Sequence, residues 1–444
     1  MKQIAKSLLV SAALCALSLG PVRAEMDVSA LKAAIEKSFE ADYPKLDALY
    51  KDLHAYPELA FQEVKTAAKL AAEMRAIGFE VTEKVGKTGL VAIYKNGDGP
   101  TILVRTELDA LPMEEKTGLD YASREKTVVN GRETFVAHSC GHDIHMANWV
   151  GTAKTLVGLK DQWKGTLMFI AQPAEEIVAG AKAMLDDGLF TRFKKPDFAF
   201  ALHSGGVPYG VVNYRVGVGS SNVDGLYVKF QGRGGHGAIP HRTIDPVMMA
   251  SRFVVDVQSV ISREKDPTEF GLVTIGSIHS GTVGNIIPDD ATLTGTIRSY
   301  KPEVRAKMLA GIERTAKAVA AMSDAPAPDI RMGVGTTAVI NDPSVVATAE
   351  KVLKAAFGDK LRQTPPNTTS EDFSEFAVAG VPSMMFNIGV YEPEKWVAAN
   401  KSGTPLAGNH SPQFAPVPKP TIQTGVIAMT LAVLGAFDQH ARGK

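Results

Sequence analysis

Three short apolar runs end the same way, and that shared ending limits what the chain can become. Thr101 to Arg105 runs into Thr106-Glu107-Leu108-Asp109, Gly165 to Ala171 into Gln172-Pro173-Ala174-Glu175-Glu176, and Asp197 to Leu202 into His203. Near-continuous apolar strands, alternating with helical patterns, are what a sheet covered on both faces requires. The expected class is therefore α/β with a mixed, mostly parallel sheet. In such sheets clefts open outside the carboxyl ends of the strands. The acids and imidazole that end these runs would thus converge on one edge, together with His410, which follows the apolar run Ser383 to Ile388 after an intervening loop.

Helices are expected over Leu31 to Leu53, Phe61 to Ile77, His145 to Leu159 and Ala179 to Asp187, and strands over Phe79 to Glu83 and Leu90 to Tyr94. The pattern changes near Val218. Strand Gly225 to Gln231, helix Asp245 to Ser262, strands Gly271 to His279 and Ala291 to Tyr300, helix Glu303 to Met322 and strand Pro328 to Gly333 follow in turn. That order, β-α-β-β-α-β, is a ferredoxin-like α+β arrangement. Helices Ser344 to Phe357 and Glu371 to Val378, strand Ser383 to Ile388 and helix Thr421 to Phe437 then resume the first pattern. The expectation is a discontinuous catalytic domain, 25–217 and 334–444, with an inserted lid domain over 218–333.

The first 24 residues read as a secretory signal. Lys2 and Lys6 precede the apolar stretch Leu8 to Gly20, and Val22-Arg23-Ala24 offers a cleavage site. The stretch is short for a membrane span and has no stop-transfer flank. Export, to the periplasm or the medium, is expected, with no membrane attachment after cleavage. Balanced charge, 48 basic against 48 acidic residues, gives no reason to expect nucleic acid as a partner. Of the two cysteines, Cys15 falls in the signal. Cys140 then has no internal disulfide partner: it is either a buried inert thiol or a thiolate held by something, for which a metal is the obvious candidate.

Cys140 lies in His138-Ser139-Cys140-Gly141-His142-Asp143-Ile144-His145, where thiol and imidazole stand at ligand spacing for a transition metal. Asp143, beside His142, would orient it from behind. The Glu175-Glu176 pair has two readings. It could be two solvated charges at a helix start, or a division of labour in which one carboxylate ligates a metal and the other takes a proton from water. The turn Gly232-Arg233-Gly234-Gly235-His236-Gly237 lacks the Lys-Ser/Thr of a phosphate loop. It is either a tight turn or the mount for an imidazole. Asn285 and Arg298 fall near strand ends in the insert; Arg298 would suit a carboxylate, or a surface ion pair. Met384, Met385 and Phe386 fit a strand core better than a pocket wall.

The chain resembles the aminoacylase and carboxypeptidase-like dinuclear metallopeptidases, and within them the hippurate hydrolase and indole-acetyl-amino-acid hydrolase branch. The matching stretches are Arg105 to Pro112, His138 to His145, Gln172 to Glu176, Leu202-His203, Gly234 to His241, Asp245-Pro246, Asn285 to Pro288, Gly295 to Arg298, Ser370 to Phe373 and the segment around His410. The resemblance implies two divalent metals held by Cys140, His142, Glu176, His203 and His410, with Cys140 bridging and Asp109 supporting. It implies Glu175 as general base and acid, and His236 as an oxyanion donor delivered by the lid domain. Asn285 and Arg298 would hold the substrate's α-carboxylate, and a homodimer would form through the lid. Three positions depart from the pattern: Glu107 where an aspartate is usual, Gly237 where an alanine is usual, and Asn409 where a second histidine is common.

The implied activity is metal-dependent hydrolysis of the amide of N-acyl amino acids, with dipeptides as the competing substrate class. Thiolate, imidazole and carboxylate together tolerate Zn, Mn, Co or Ni. An exported two-lobed solute-binding protein is the alternative from another class. It would leave the five ligand-type residues without a purpose.

Overall fold

The computed structural model describes residues 26–443; the expected signal lies outside them. Helices α1 (Val28–Ala55) and α2 (Val64–Ile77) lead into strands β1 (Glu80–Val85), β2 (Gly89–Asn96) and β3 (Thr101–Glu107). Helix α3 (His142–Gly158), β4 (Gly165–Gln172), β5 (Phe198–Pro208) and β6 (Val212–Tyr214) complete the first part. The insert contributes β7 (Val223–Gln231), α4 (Pro246–Asp256), β8 (Gly271–His279), β9 (Asp290–Ser299), α5 (Pro302–Met322) and β10 (Asp329–Thr336). The chain then returns through α6 (Pro343–Phe357), β11 (Leu361–Gln363), β12 (Ser383–Tyr391) and α7 (Pro418–Arg442).

The main sheet has eight strands in the order β1-β2-β4-β3-β5-β12-β6-β11. Its centre, β4-β3-β5-β12, is parallel throughout, and β1, β2 and β6 bring antiparallel pairings. Every residue of β3 is buried, as a strand covered on both faces must be. Helices α1, α3, α6 and α7 form the layer on one face, around Tyr50, Trp149 and Phe169. Phe373, Phe376 and Met184 belong to a second buried cluster with residues of β3, β4 and β5. Helix α7 is long and apolar enough to cross a membrane, yet nearly all of its apolar stretch is buried, which makes it a core helix.

The insert is a four-stranded antiparallel sheet in the order β8-β9-β7-β10, packed against α4 and α5 around Phe230, Phe253 and Met308. Asp245 caps α4 by accepting the Val247 and Met248 amides, and Pro246 opens the helix. Helix α4 ends at Asp256, short of the single helix expected to Ser262. Beyond it the bonding widens, and Lys265 N–H reaches the carbonyl of Val260, five residues back. Strand β10 continues three residues beyond the expected Gly333, to Thr336.

Candidate functional site

The candidate residues arrive on separate elements. Asp109 follows β3, Glu175 and Glu176 follow β4, and His203 lies within β5, which continues to Pro208. Cys140 and His142 sit at the start of α3, where Gly141 takes φ +86°, a conformation that favours glycine. A Cβ there would also meet Ser204 Oγ at 2.7 Å. The turn before Glu175 is bent at Ala174, φ +50°, and pinned by the Ala174 N–H donating to Glu63 Oε1 at 2.8 Å. His410, φ +65°, is fixed by its amide donating to the Ser139 carbonyl at 2.7 Å. Non-glycine residues in that region are strained and persist where surroundings hold them.

Several groups of three donors result, and two of them share Cys140. The ligand atoms of Cys140, His142 and His203 lie within 4.8 Å of one another, and so do those of Cys140, Glu176 and His410. Cys140 belongs to both groups; its Sγ lies 3.5 Å from His203 Nε2. His410 Nε2 is 3.3 Å from Glu176 Oε2. His142 Nε2 and Glu176 Oε1 are buried with no hydrogen-bond partner. Orphaned buried atoms of this kind are costly unless something binds them. One thiol, three imidazoles and a carboxylate suit a pair of transition-metal ions, and the residues present fit such a group.

Asp109 holds this arrangement from behind. Its backbone carbonyl lies 2.7 Å from His142 Nδ1, and its Oδ2 accepts the Glu176 amide at 2.9 Å. Asp143 does not share that task, contrary to the expectation from its place in the chain. Its Oδ2 is taken up by His54 Nδ1 at 2.6 Å and its Oδ1 by the amide of Ile144. The departing residues have definite partners. Glu107 pairs with the buried Arg105 and lies 3.0 Å from His145 Nδ1, while His145 Nε2 accepts the Ser204 amide at 2.7 Å. Asn409 donates to the Cys140 carbonyl at 2.8 Å.

Glu175 is buried 3.7 Å from His142 Nε2; a carboxylate oxygen of it lies within 4.8 Å of donors of His142 and Glu176, and likewise of Glu371 and Asp372. Burial, and then the charge of Glu371, push its carboxyl well above the usual range, while His142 pulls the other way. Glu371 is itself bound to Arg105 at 2.7 Å. Arg105 and Glu371 both fall in stretches that carry the resemblance, but the sequence gives neither a role in the site. An arginine closing an apolar strand could have signalled a buried carboxylate partner.

A cleft of about 940 Å³ opens over these residues. Arg298 and Met385 line it, whereas Met384 and Phe386 are buried in the core. Arg298 Nη1 donates to the Thr368 carbonyl and to Ser370 Oγ, each at 3.3 Å. His236 and Asn285 are not among the residues lining the cleft. They are exposed on the insert, side by side, with the Gly237 amide donating to the Asn285 carbonyl at 2.8 Å. The fold of one chain therefore does not bring these two to the other candidates.

Known proteins resemble this chain in sequence and fold. Residues 103–401 match the model of "Peptidase family M20/M25/M40". The chain is 33% identical over 386 residues to thermostable carboxypeptidase 1 of Saccharolobus solfataricus, covering 86% of this chain and 92% of that one. It is 35% identical over 338 residues to the hippurate hydrolase of Campylobacter jejuni, covering 75% and 85%. A crystal structure from Bacillus subtilis, described as a dinuclear metal-binding peptidase of the M20 family, superposes with a TM-score of 0.73 at 26% identity, covering 90% of this chain and 99% of that one. With two thirds of its length matched by the family model and relatives of this similarity along most of the rest, the chain belongs to peptidase family M20/M25/M40.

Proposed function

We propose that the protein is a metal-dependent amidohydrolase that splits N-acyl amino acids into a free amino acid and a carboxylic acid. The observation that carries this reading is the pair of three-donor groups sharing Cys140, with the carboxylate of Glu175, a member of neither, buried beside them. The residues Cys140, His142, Glu176, His203 and His410 would hold two divalent cations, which supply an acidified water and a polarised carbonyl. Glu175 accepts the proton of the attacking water and delivers it to the departing amine. Arg298, half-buried at the cleft wall, pairs with the α-carboxylate of the substrate.

His236 and Asn285 enter this scheme when the insert closes or when a second copy presents its own insert, and we assign the insert to lid and homodimer contacts on that ground. Export through cleavage after Ala24 belongs to the same proposal; the protein recovered from culture fractions should then begin at Glu25. Similarity to a carboxypeptidase favours dipeptides as the second substrate class. A hydrolysis panel of N-acyl amino acids against dipeptides, with Zn, Mn, Co and Ni supplied in turn, decides between them. Release of amino acid from the acylated set is expected. Turnover confined to dipeptides would replace the reading, and inertness with every metal would end it.

A further inference from the structure

The cleft carries a second cationic wall that the proposed chemistry does not use. We propose that it takes an acyl group ending in its own carboxylate, anchored by Arg215, so that the substrates are N-acyl amino acids of a short dicarboxylic acid. This rests on the amidohydrolase reading and adds the acyl class to it.

The two ends of the substrate can be told apart. Arg298 reaches Ser370, and the next residue, Glu371, shares a group with Glu175. The α-carboxylate anchor thus lies on the Glu175 side, where the departing amine must collect its proton. The acyl group is left with the opposite side, and the sheet continues there. His203 on β5 is in register with Asn387 on β12, and Asn387 is in register with Asn213 on β6. In-register residues share a face, and neighbouring strands stand about 4.8 Å apart. A row of two carboxamides therefore leads away from the ligand His203. Arg215, two residues beyond Asn213, lines the same cleft, as do Ser220 and Asn341.

This wall is built for a polar guest. Asn213 Oδ1, Arg215 Nε and Ser220 Oγ are buried without a hydrogen-bond partner. Arg215 has one long contact, Nη1 to the Thr364 carbonyl at 3.4 Å, and no carboxylate partner among the described residues. A half-buried guanidinium without a counter-charge is uncommon, because such groups are normally paired. A benzoyl or alkyl group would leave these donors and acceptors unmatched, and sites of that kind discriminate strongly against the analogue lacking the polar group. A carboxylate at Arg215 would meet the guanidinium through paired N–H donors.

The test compares kcat/KM of the metal-loaded protein on N-succinyl- and N-glutaryl-leucine with N-butyryl- and N-valeryl-leucine, which have the same acyl lengths without the terminal charge. A preference of about 10- to 100-fold for the charged acyl groups is expected, the range of one charge-assisted hydrogen-bonded pair. Arg215→Met should collapse the ratio toward one through KM, and Arg215→Lys should restore part of it. Asn213→Asp, which places a carboxylate near Arg215, should also lower the ratio. Should these variants be inert on all four compounds, the inhibition of the parent decides: glutarate should compete and valerate should not. A parent ratio of one or below, a ratio unchanged in Arg215→Met, or equal inhibition by the two acids overturns the inference while leaving the amidohydrolase reading standing. Failure of the parent to cleave any of the four, with every metal, overturns that reading instead.

Discussion

His145 donates from Nδ1 to Glu107 Oε2 at 3.0 Å. The Ser204 amide donates into His145 Nε2, so the proton must reside on Nδ1 and the ring is neutral. Burial holds this imidazole at about 4, consistent with that state. The other carboxylate oxygen of Glu107 is committed to Arg105. One side chain thus ties the end of β3 both to α3 and to the buried arginine. Glu107→Ala should cost about 3 kcal/mol, the scale for removing one partner from a buried ion pair. Glu107→Asp is one methylene shorter and should lose one of the two contacts, at about 1–2 kcal/mol. Denaturant midpoints of the two variants check the order; an aspartate variant as stable as the parent would show that the longer side chain is not needed.

Much of this was legible in the sequence, for a definite reason. Apolar runs that end in acid or imidazole announce both a strand and its functional end, so the origin of Glu175, Glu176 and His203 could be read locally. The role of Glu107 could not, because its partners are set by the fold. Arg105 also binds Glu371 and Asp372, more than 260 positions away. Asp143 misled because adjacency in a chain does not make adjacency of side chains. Helix α3 turns it toward His54, 89 residues back. The helix Pro393–Ser402 was not expected, since none of its residues is buried and it has no apolar face to read. A glycine-rich turn singles out His236, a place near a strand end singles out Asn285, and the resemblance gives both a role, but none of these says how they would reach the other candidates.

Glu175→Gln keeps the shape of the side chain and removes its ability to take a proton. The rate should fall by about 10²- to 10⁴-fold, the usual contribution of a general acid–base group. Metal content, measured by elemental analysis, should stay near that of the parent, since Glu175 lies outside both groups that share Cys140. Parental turnover in this variant would remove Glu175 from the mechanism. Equal loss of metal and activity would make it a ligand instead.

Cys140 and His410 should differ in what their removal costs. Cys140 belongs to both three-donor groups and His410 to one. Cys140→Ala should deplete both ions, whereas His410→Ala, at a position more than half exposed, should leave one bound. Elemental analysis after dialysis gives the two stoichiometries directly. The same loss in both variants would argue against a shared thiolate.

His54 gives the fold a pH dependence of its own. It is buried between Asp143, 2.6 Å from Nδ1, and Glu115, 3.1 Å from Nε2. Burial alone would push the imidazole down, but the hydrogen bonds and charges of both carboxylates outweigh it, and the group is raised from 6.5 to about 10. A group raised in the folded state binds its proton more tightly there than in the unfolded chain. Its stabilisation is therefore complete below about pH 6.5 and is lost progressively as pH climbs through about 10. His54→Gln should be less stable than the parent at neutral pH, by about 3 kcal/mol for a broken buried pair. That deficit should shrink steadily as the pH is raised, because the parent loses what the variant never had. Denaturation curves for both proteins at intervals from neutral to alkaline pH provide the comparison. A deficit that stays constant over that range would mean that His54 is not a buried cation.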